Sequence, residues 1–153
     1  MIITIAEPSE YKLIEELTGG RPCNFRVIVT GVGMMNVFRA LKNVDRSATI
    51  MNLGYAGSNT LEPGKIYQVA NSRTAHDIAD FYEEPIELDQ YFEDRDAFPC
   101  YTATDFVTKT KVEHPALFDM ELAAIASMGF SRVYSLKKVS DSLNYQQYKK
   151  EAA

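Results

Sequence analysis

Ala48-Thr49-Ile50-Met51-Asn52-Leu53-Gly54-Tyr55-Ala56-Gly57-Ser58 joins an apolar run to a series of small residues. The stretch reads as a buried strand over 48–53 that breaks into a glycine turn within 52–58. Open α/β sheets bind ligands outside the carboxyl ends of their strands, at such turns. Glycine there lets the backbone approach a bound group closely and take dihedrals closed to other residues. Many α/β domains have such a turn, so its neighbours must decide what this one means.

Strand and helix signals alternate on either side of it. Residues 2–6 are short and β-branched, a first strand. A helix follows over 9–17, with Leu13, Ile14 and Leu17 as its apolar positions, Pro8-Ser9 at its start and Gly19-Gly20 at its end. Residues 25–30 form a second strand, and Gly31-Val32-Gly33 breaks into a helix over 34–43. Beyond the central stretch, Pro63-Gly64 marks a turn before a strand over 65–70. Residues 77–96 are acidic and aromatic, a long loop with room for a short helix, either functional or an inserted disordered segment. A strand over 100–107 comes next. The apolar spacing of Leu117, Met120, Ala124 and Met128 predicts a helix over 115–128, closed by Gly129. A last strand over 132–139 and a polar helix over 142–150 complete the chain. This order implies helices around a central mixed, mostly parallel sheet, a three-layer α/β/α arrangement.

Composition sets the outer bounds. At 153 residues and 46% hydrophobic, the chain can bury one core, and 1–153 reads as a single domain. A net charge of -5, with no basic stripe, excludes a nucleic-acid groove. Lys137-Lys138 and Lys149-Lys150 read as solvated faces. No run approaches the ~18 apolar residues of a membrane span, so no membrane partner is expected. Met1-Ile2-Ile3-Thr4-Ile5 lacks the basic start of a secretory signal, and a cytoplasmic location follows as an expectation. Cys23 and Cys100 have no paired-ligand spacing and read as reduced thiols. His76 is a candidate metal ligand or base, but with His114 the only other histidine and no ligand spacing it reads as structural, and no metal is expected.

Four segments together resemble the nucleoside phosphorylase and nucleosidase family, which cleaves the N-glycosidic bond of purine and related nucleosides. Thr30-Gly31-Val32-Gly33 is similar to its S/T-G-I/M-G turn, and Asn52 to Ser58 to its N-x-G-[ST]-A-G-G turn. Met120-Glu121, followed by Ala124, resembles V-x-M-E-x-x-A, and Val139-Ser140-Asp141 resembles I-S-D. The nearest branch is that of the methylthioadenosine and adenosylhomocysteine nucleosidases, whose A-M-E-x-E segment is matched in place by Ala6-Glu7-Pro8-Ser9-Glu10. Leu61-Glu62-Pro63-Gly64-Lys65-Ile66 and Ala75-His76-Asp77-Ile78-Ala79-Asp80 are similar to its L-x-x-G-D-I and Y-H-D-A-D segments. The resemblance implies a phosphorylase/hydrolase-like fold, a small nucleoside as substrate, no cofactor, and a homo-oligomer, dimer or larger. The phosphate-binding glycine that phosphorylases carry at the first turn is missing, which favours water as nucleophile.

Breaking a ribosyl–purine bond builds positive charge on the sugar and negative charge on the leaving base. Carboxylates are suited to both sides of that reaction, as in glycoside hydrolysis. By resemblance Asp141 faces N7 of the purine as general acid; the alternative is that Ser140-Asp141 caps the final helix. Glu121 would accept from the ribose hydroxyls with Met120 beneath the ring; the alternative is an exposed glutamate at a helix start. Glu10 would activate the attacking water, with Glu7 as the other candidate. Phe106, followed by Val107, resembles the aromatic that packs on the base; a core phenylalanine is the other account. Gly33, Ala56, Gly57 and Ser140 complete the implied binding set. Tyr55 stands where the family has serine or threonine, and a phenol there would fill the nucleophile's space. Two alternatives stay open beside the hydrolase: a phosphate-dependent enzyme, and a catalytically silent nucleoside binder, for which Tyr55 and the shortened 106–120 segment speak.

Overall fold

The computed structural model describes residues 1–22, 24–75 and 84–153. Cys23 and His76, with the segment 76–83, lie outside the described residues. The organising element is β3 (Thr49–Ser58), a ten-residue strand buried from its second residue onward. It runs parallel to β1 (Ile2–Ile5) on one side and to β8 (Arg132–Asp141) on the other. β2 (Arg26–Val29) lies parallel beyond β1. At its far end β3 also pairs antiparallel with β7 (Leu117–Asp119). β7 is parallel to β6 (Ala97–Thr102), β6 is parallel to β4 (Ile66–Thr74), and β4 is antiparallel to β8 and to the short β5 (Ile86–Glu87). Among the described residues the sheet has eight strands and is mixed, mostly parallel. The pairings β3–β7–β6–β4–β8–β3 also close a circuit, so β3 and β8 have no free edge in this part of the sheet.

Among the described residues, four α-helices accompany the strands: α1 (Tyr11–Thr18), α2 (Met34–Leu41), α3 (Leu122–Ala126) and α4 (Tyr145–Ala152). Successive side chains of a strand point to opposite faces. Accordingly Ile50 joins a core cluster with Val37 and Leu41 of α2 and Leu122 and Ile125 of α3. Its neighbour Met51 joins Ile14 of α1, Ile3, Ile5 and Leu53 in a second cluster. Among the described residues no helix is long and apolar enough to cross a membrane.

Three expectations are corrected. The supposed turn within 52–58 is the second half of β3, in register with β8 through Gly57 and with a bulge between Ala56 and Gly57. Neither Gly54 nor Gly57 has a positive φ; what they supply is space. A Cβ on Gly54 would lie 3.0 Å from Glu10 Oε2, and one on Gly57 would lie 2.8 Å from Asp141 Oδ1. The single helix over 115–128 is instead β7 followed by α3. Leu117 and Phe118 are buried between two partner strands, and a short fully buried apolar run carries no period that separates strand from helix. The strand over 100–107 ends at Thr102, and 103–116 has no regular structure. Of the 77–96 loop, the described part includes β5 and is pinned to β4 by Gln68, whose Oε1 accepts from Phe92 N at 2.8 Å.

Candidate active site

The carboxyl ends of β3 and β8, the β7–α3 junction and the segment after β1 border a cleft of about 320 Å³. That lies at the lower end of the roughly 300–1,000 Å³ of small-ligand sites. Glu10, Tyr55, Ala56, Gly57, Phe106, Val107, Met120, Glu121, Ser140 and Asp141 all line it. Gly33 stands behind the wall, where its N–H donates to Glu121 Oε2 at 2.8 Å. Its φ of 91° at the start of α2 is a conformation that favours glycine.

Glu10 ends a single 3₁₀ turn, Pro8–Glu10, which Glu7 and Glu10 cap reciprocally. Pro8 suits the first position, because its missing N–H would have had no partner there. The buried Glu10 carboxylate accepts from Ala6 N at 2.7 Å and Glu7 N at 3.0 Å through Oε1, and from Tyr55 N at 3.0 Å through Oε2. A carboxylate has about four acceptor positions, so one remains, on Oε2. Burial raises the Glu10 pKa, against the Lys137 cation and these backbone bonds, which lower it. Tyr55 reaches this carboxylate by its backbone; its ring is turned toward Lys12, whose Nζ lies 5.5 Å from the ring centroid. Burial pushes its phenol up to about 12.

Asp119, Met120 and Glu121 turn the chain from β7 into α3. Asp119 Oδ2 accepts from Leu122 N at 2.9 Å and pairs with Lys137 Nζ at 3.0 Å, each side chain only 1% exposed. Asp119 Oδ1 accepts from the Thr102 hydroxyl at 2.5 Å. Burial would raise the Asp119 pKa, but Lys137 and these bonds hold it below the usual range. Burial lowers the proton affinity of Lys137, and Asp119 outweighs that, so the lysine stays charged. Lys137 is thus no solvated residue, contrary to the reading of Lys137-Lys138; Lys138 keeps partial exposure and pairs with Glu16 at 3.1 Å. Glu121 is pushed up to about 7, first by burial and then by the negative charge of Asp119.

Asp141 ends β8 and is fully buried. Its Oδ2 accepts from Ser140 Oγ at 2.7 Å and its Oδ1 from Asn144 N at 3.1 Å. The cap of α4 is Asn144, whose side chain accepts from Gln147 N at 3.0 Å. Asp141 holds the turn before that cap, a turn that includes Leu143 at a φ of 64°. Above it, Phe106 meets Tyr145 edge-on at 5.2 Å between ring centroids and Tyr148 at 5.5 Å. Both tyrosines come from α4, which buries no residue of its own, and both line the cleft.

Sequence reasoning missed Lys137, Asp119, Tyr145 and Tyr148. Lys137 left one signal: a lysine within a strand flanked on both sides by others has no solvent to reach. Asp119 next to Met120-Glu121 was its available counter-charge. The α4 tyrosines left none, because a polar amphipathic helix carries no mark of what it covers. His114 is exposed and contacts Tyr101 Oη through Nε2 at 3.0 Å. Among the described residues no group of three or more His, Cys, Asp or Glu could hold a metal ion.

This fold is that of the nucleosidases, as solved structures establish. An MTAN from Chlamydia trachomatis bound to MTA aligns over 99% of this chain and 88% of its own, with a TM-score of 0.74 and 18% identity. A futalosine hydrolase mutant from Helicobacter pylori aligns over 99% and 92%, with a TM-score of 0.73 and 15% identity. The 5′-methylthioadenosine/S-adenosylhomocysteine nucleosidase of Helicobacter pylori aligns over 99% and 89%, with a TM-score of 0.72 and 15% identity. No family model matches the chain, and no curated protein sequence does.

Proposed function

We propose that the chain is a nucleosidase that hydrolyses the N-glycosidic bond of a purine nucleoside or 5′-thionucleoside, on a three-layer α/β/α scaffold and without a cofactor. The observation that carries this reading is the cleft that Glu10, Glu121 and Asp141 line together. Asp141, oriented by the Ser140 hydroxyl, donates a proton to N7 as the C1′–N9 bond breaks and its electrons move to the base. Glu121 accepts from the ribose hydroxyls, with Met120 against the sugar, and Phe106 and Val107 border the base. Glu10, with its remaining acceptor position, takes a proton from water as the water oxygen bonds to C1′.

Water suits this site better than phosphate. Glu7, Glu10 and Glu121 all border the cleft, and the buried Lys137 is paired with Asp119. An anionic nucleophile would meet like charge there.

A cytoplasmic homo-oligomer, dimer or larger, belongs to the same proposal. Val32, Met35 and Phe38 leave an exposed apolar surface along α2 and the loop before it, and Val32 also lines the cleft. Light scattering that gives a monomer at working concentration would remove this part.

The deciding experiment is base release, followed by chromatography, from a panel of purine nucleosides and thionucleosides with and without phosphate. Free base and free sugar independent of phosphate are expected, and Asp141→Asn should abolish release while leaving the Tm nearly unchanged. Release only with phosphate would make the enzyme a phosphorylase. Binding without release would leave a silent binder.

A further inference from the structure

Two groups on the cleft wall have no part in that mechanism. The Tyr148 hydroxyl donates to Glu7 Oε2 across 3.5 Å, well beyond the roughly 2.5–3.0 Å of a good hydroxyl hydrogen bond. Neither group satisfies the other, and both line the cleft. Burial first, then the charges of Glu7, Glu10 and Glu121, push the Tyr148 pKa up. The phenol therefore stays protonated and sits on the same side as the carboxylates assigned to water and ribose. Nearby cations are engaged elsewhere. Lys12 donates to the carbonyls of Glu151 at 2.9 Å and Ala153 at 3.2 Å, Lys138 pairs with Glu16, and Lys137 with Asp119. This end of the cleft offers acceptors and negative charge. With the ribose ring hydroxyls on Glu121 and the base toward Asp141 and Phe106, the exocyclic 5′ group is the part of a nucleoside left to meet it.

We infer that Glu7 and Tyr148 form a subsite for the 5′ substituent that selects a hydrogen-bond donor, a hydroxyl or an amine, over a thioether and rejects a phosphate. The inference rests on the nucleosidase reading for the orientation of the ligand. Glu7 is also where A-M-E-x-E, the segment that Ala6 to Glu10 matches, has an apolar methionine, so this chain departs toward polarity at the position in question. A carboxylate facing an amine makes a charge-assisted bond, and a carboxylate facing a thioether is left without a donor.

Calorimetric titration of the full chain with adenosine, 5′-amino-5′-deoxyadenosine, 5′-methylthioadenosine and adenosine 5′-monophosphate tests it. The amine is expected to bind at least about tenfold more tightly than the thioether, the worth of one hydrogen bond to a charged group, with the hydroxyl between them and the phosphate unbound. Glu7→Gln keeps the cap and should erase the preference for the amine; Glu7→Leu should invert it toward the thioether. If Glu7 serves only as a helix cap, its variants weaken all ligands alike and the ratio stays fixed, which overturns the subsite. A wild-type preference for the thioether, or no binding of any nucleoside by folded protein, overturns it as well. Binding in the expected order without base release would instead sink the nucleosidase reading and leave the subsite standing.

Discussion

Gly57 shows how a single missing atom shapes this site. A Cβ there would meet Asp141 Oδ1 at 2.8 Å and Leu143 Cδ2 at 3.2 Å. Its backbone is not in a glycine-only conformation, so alanine is permitted by the dihedrals and excluded by the carboxylate. Gly57→Ala should therefore fold and move Asp141. A displacement of about 1 Å at a reacting group can cost about a hundredfold in rate, and a loss of that size in base release is the expected outcome. Unchanged turnover would show that Asp141 is not held to its place. The glycines of residues 52–58 thus act by the space they leave and not by turning the chain. The small residues of this stretch lie at the cleft end of the sheet, and they make room for side chains of Glu10 and Asp141 that arrive from distant segments. No local pattern announces such a partner.

At the scale of elements, β7 and β8 are joined by a charge pair at their buried faces, Asp119 with Lys137. Removing one partner of a buried pair leaves the other charge without compensation and costs about 3–5 kcal/mol. Lys137→Met should lose about that much in urea unfolding, and adding Asp119→Asn should restore most of it, because the neutral amide can still accept from Leu122 N and can donate to a Thr102 hydroxyl that turns to accept. Equal destabilisation in the single and double variants would mean that the lysine acts through packing alone. Elements were legible wherever alternation was simple: β1, β2, β8, α1 and α2 fall within a few residues of the periods that announce them. They were illegible where burial was two-sided, as in β7, which reads as the first turn of a helix. Of the cleft lining, Glu10, Glu121 and Asp141 are singled out by motif resemblance, while the pair of Asp119 and Lys137 is not, since Lys137-Lys138 looks like a surface charge run.

The molecule as a whole should respond to pH through its carboxyl groups. Glu10 and Glu121 hold their protons more tightly when folded than when unfolded. As pH rises above the ordinary glutamate value, the unfolded chain releases protons that the folded chain keeps, so stability falls. For Glu121 that decline runs until its folded carboxyl ionises at about 7. Asp119 acts in the opposite sense: its pKa is lower when folded, so its contribution is present at neutral pH and lost in acid. Glu121→Gln, which retains an acceptor for Gly33 N, should raise the Tm at about pH 8 and leave it unchanged near pH 4. A gain of equal size at both would trace to packing, not ionisation.

The aromatic cap that α4 lays over the cleft has an optical consequence. The chain contains nine tyrosines and no tryptophan, so its ultraviolet emission is that of phenol rings alone. Tyr55, Tyr145 and Tyr148 line the cleft, and a purine stacked near them absorbs in the same region and quenches by contact. Occupancy of the cleft is therefore readable from the intrinsic fluorescence of the unlabelled protein, with no brighter indole to mask it.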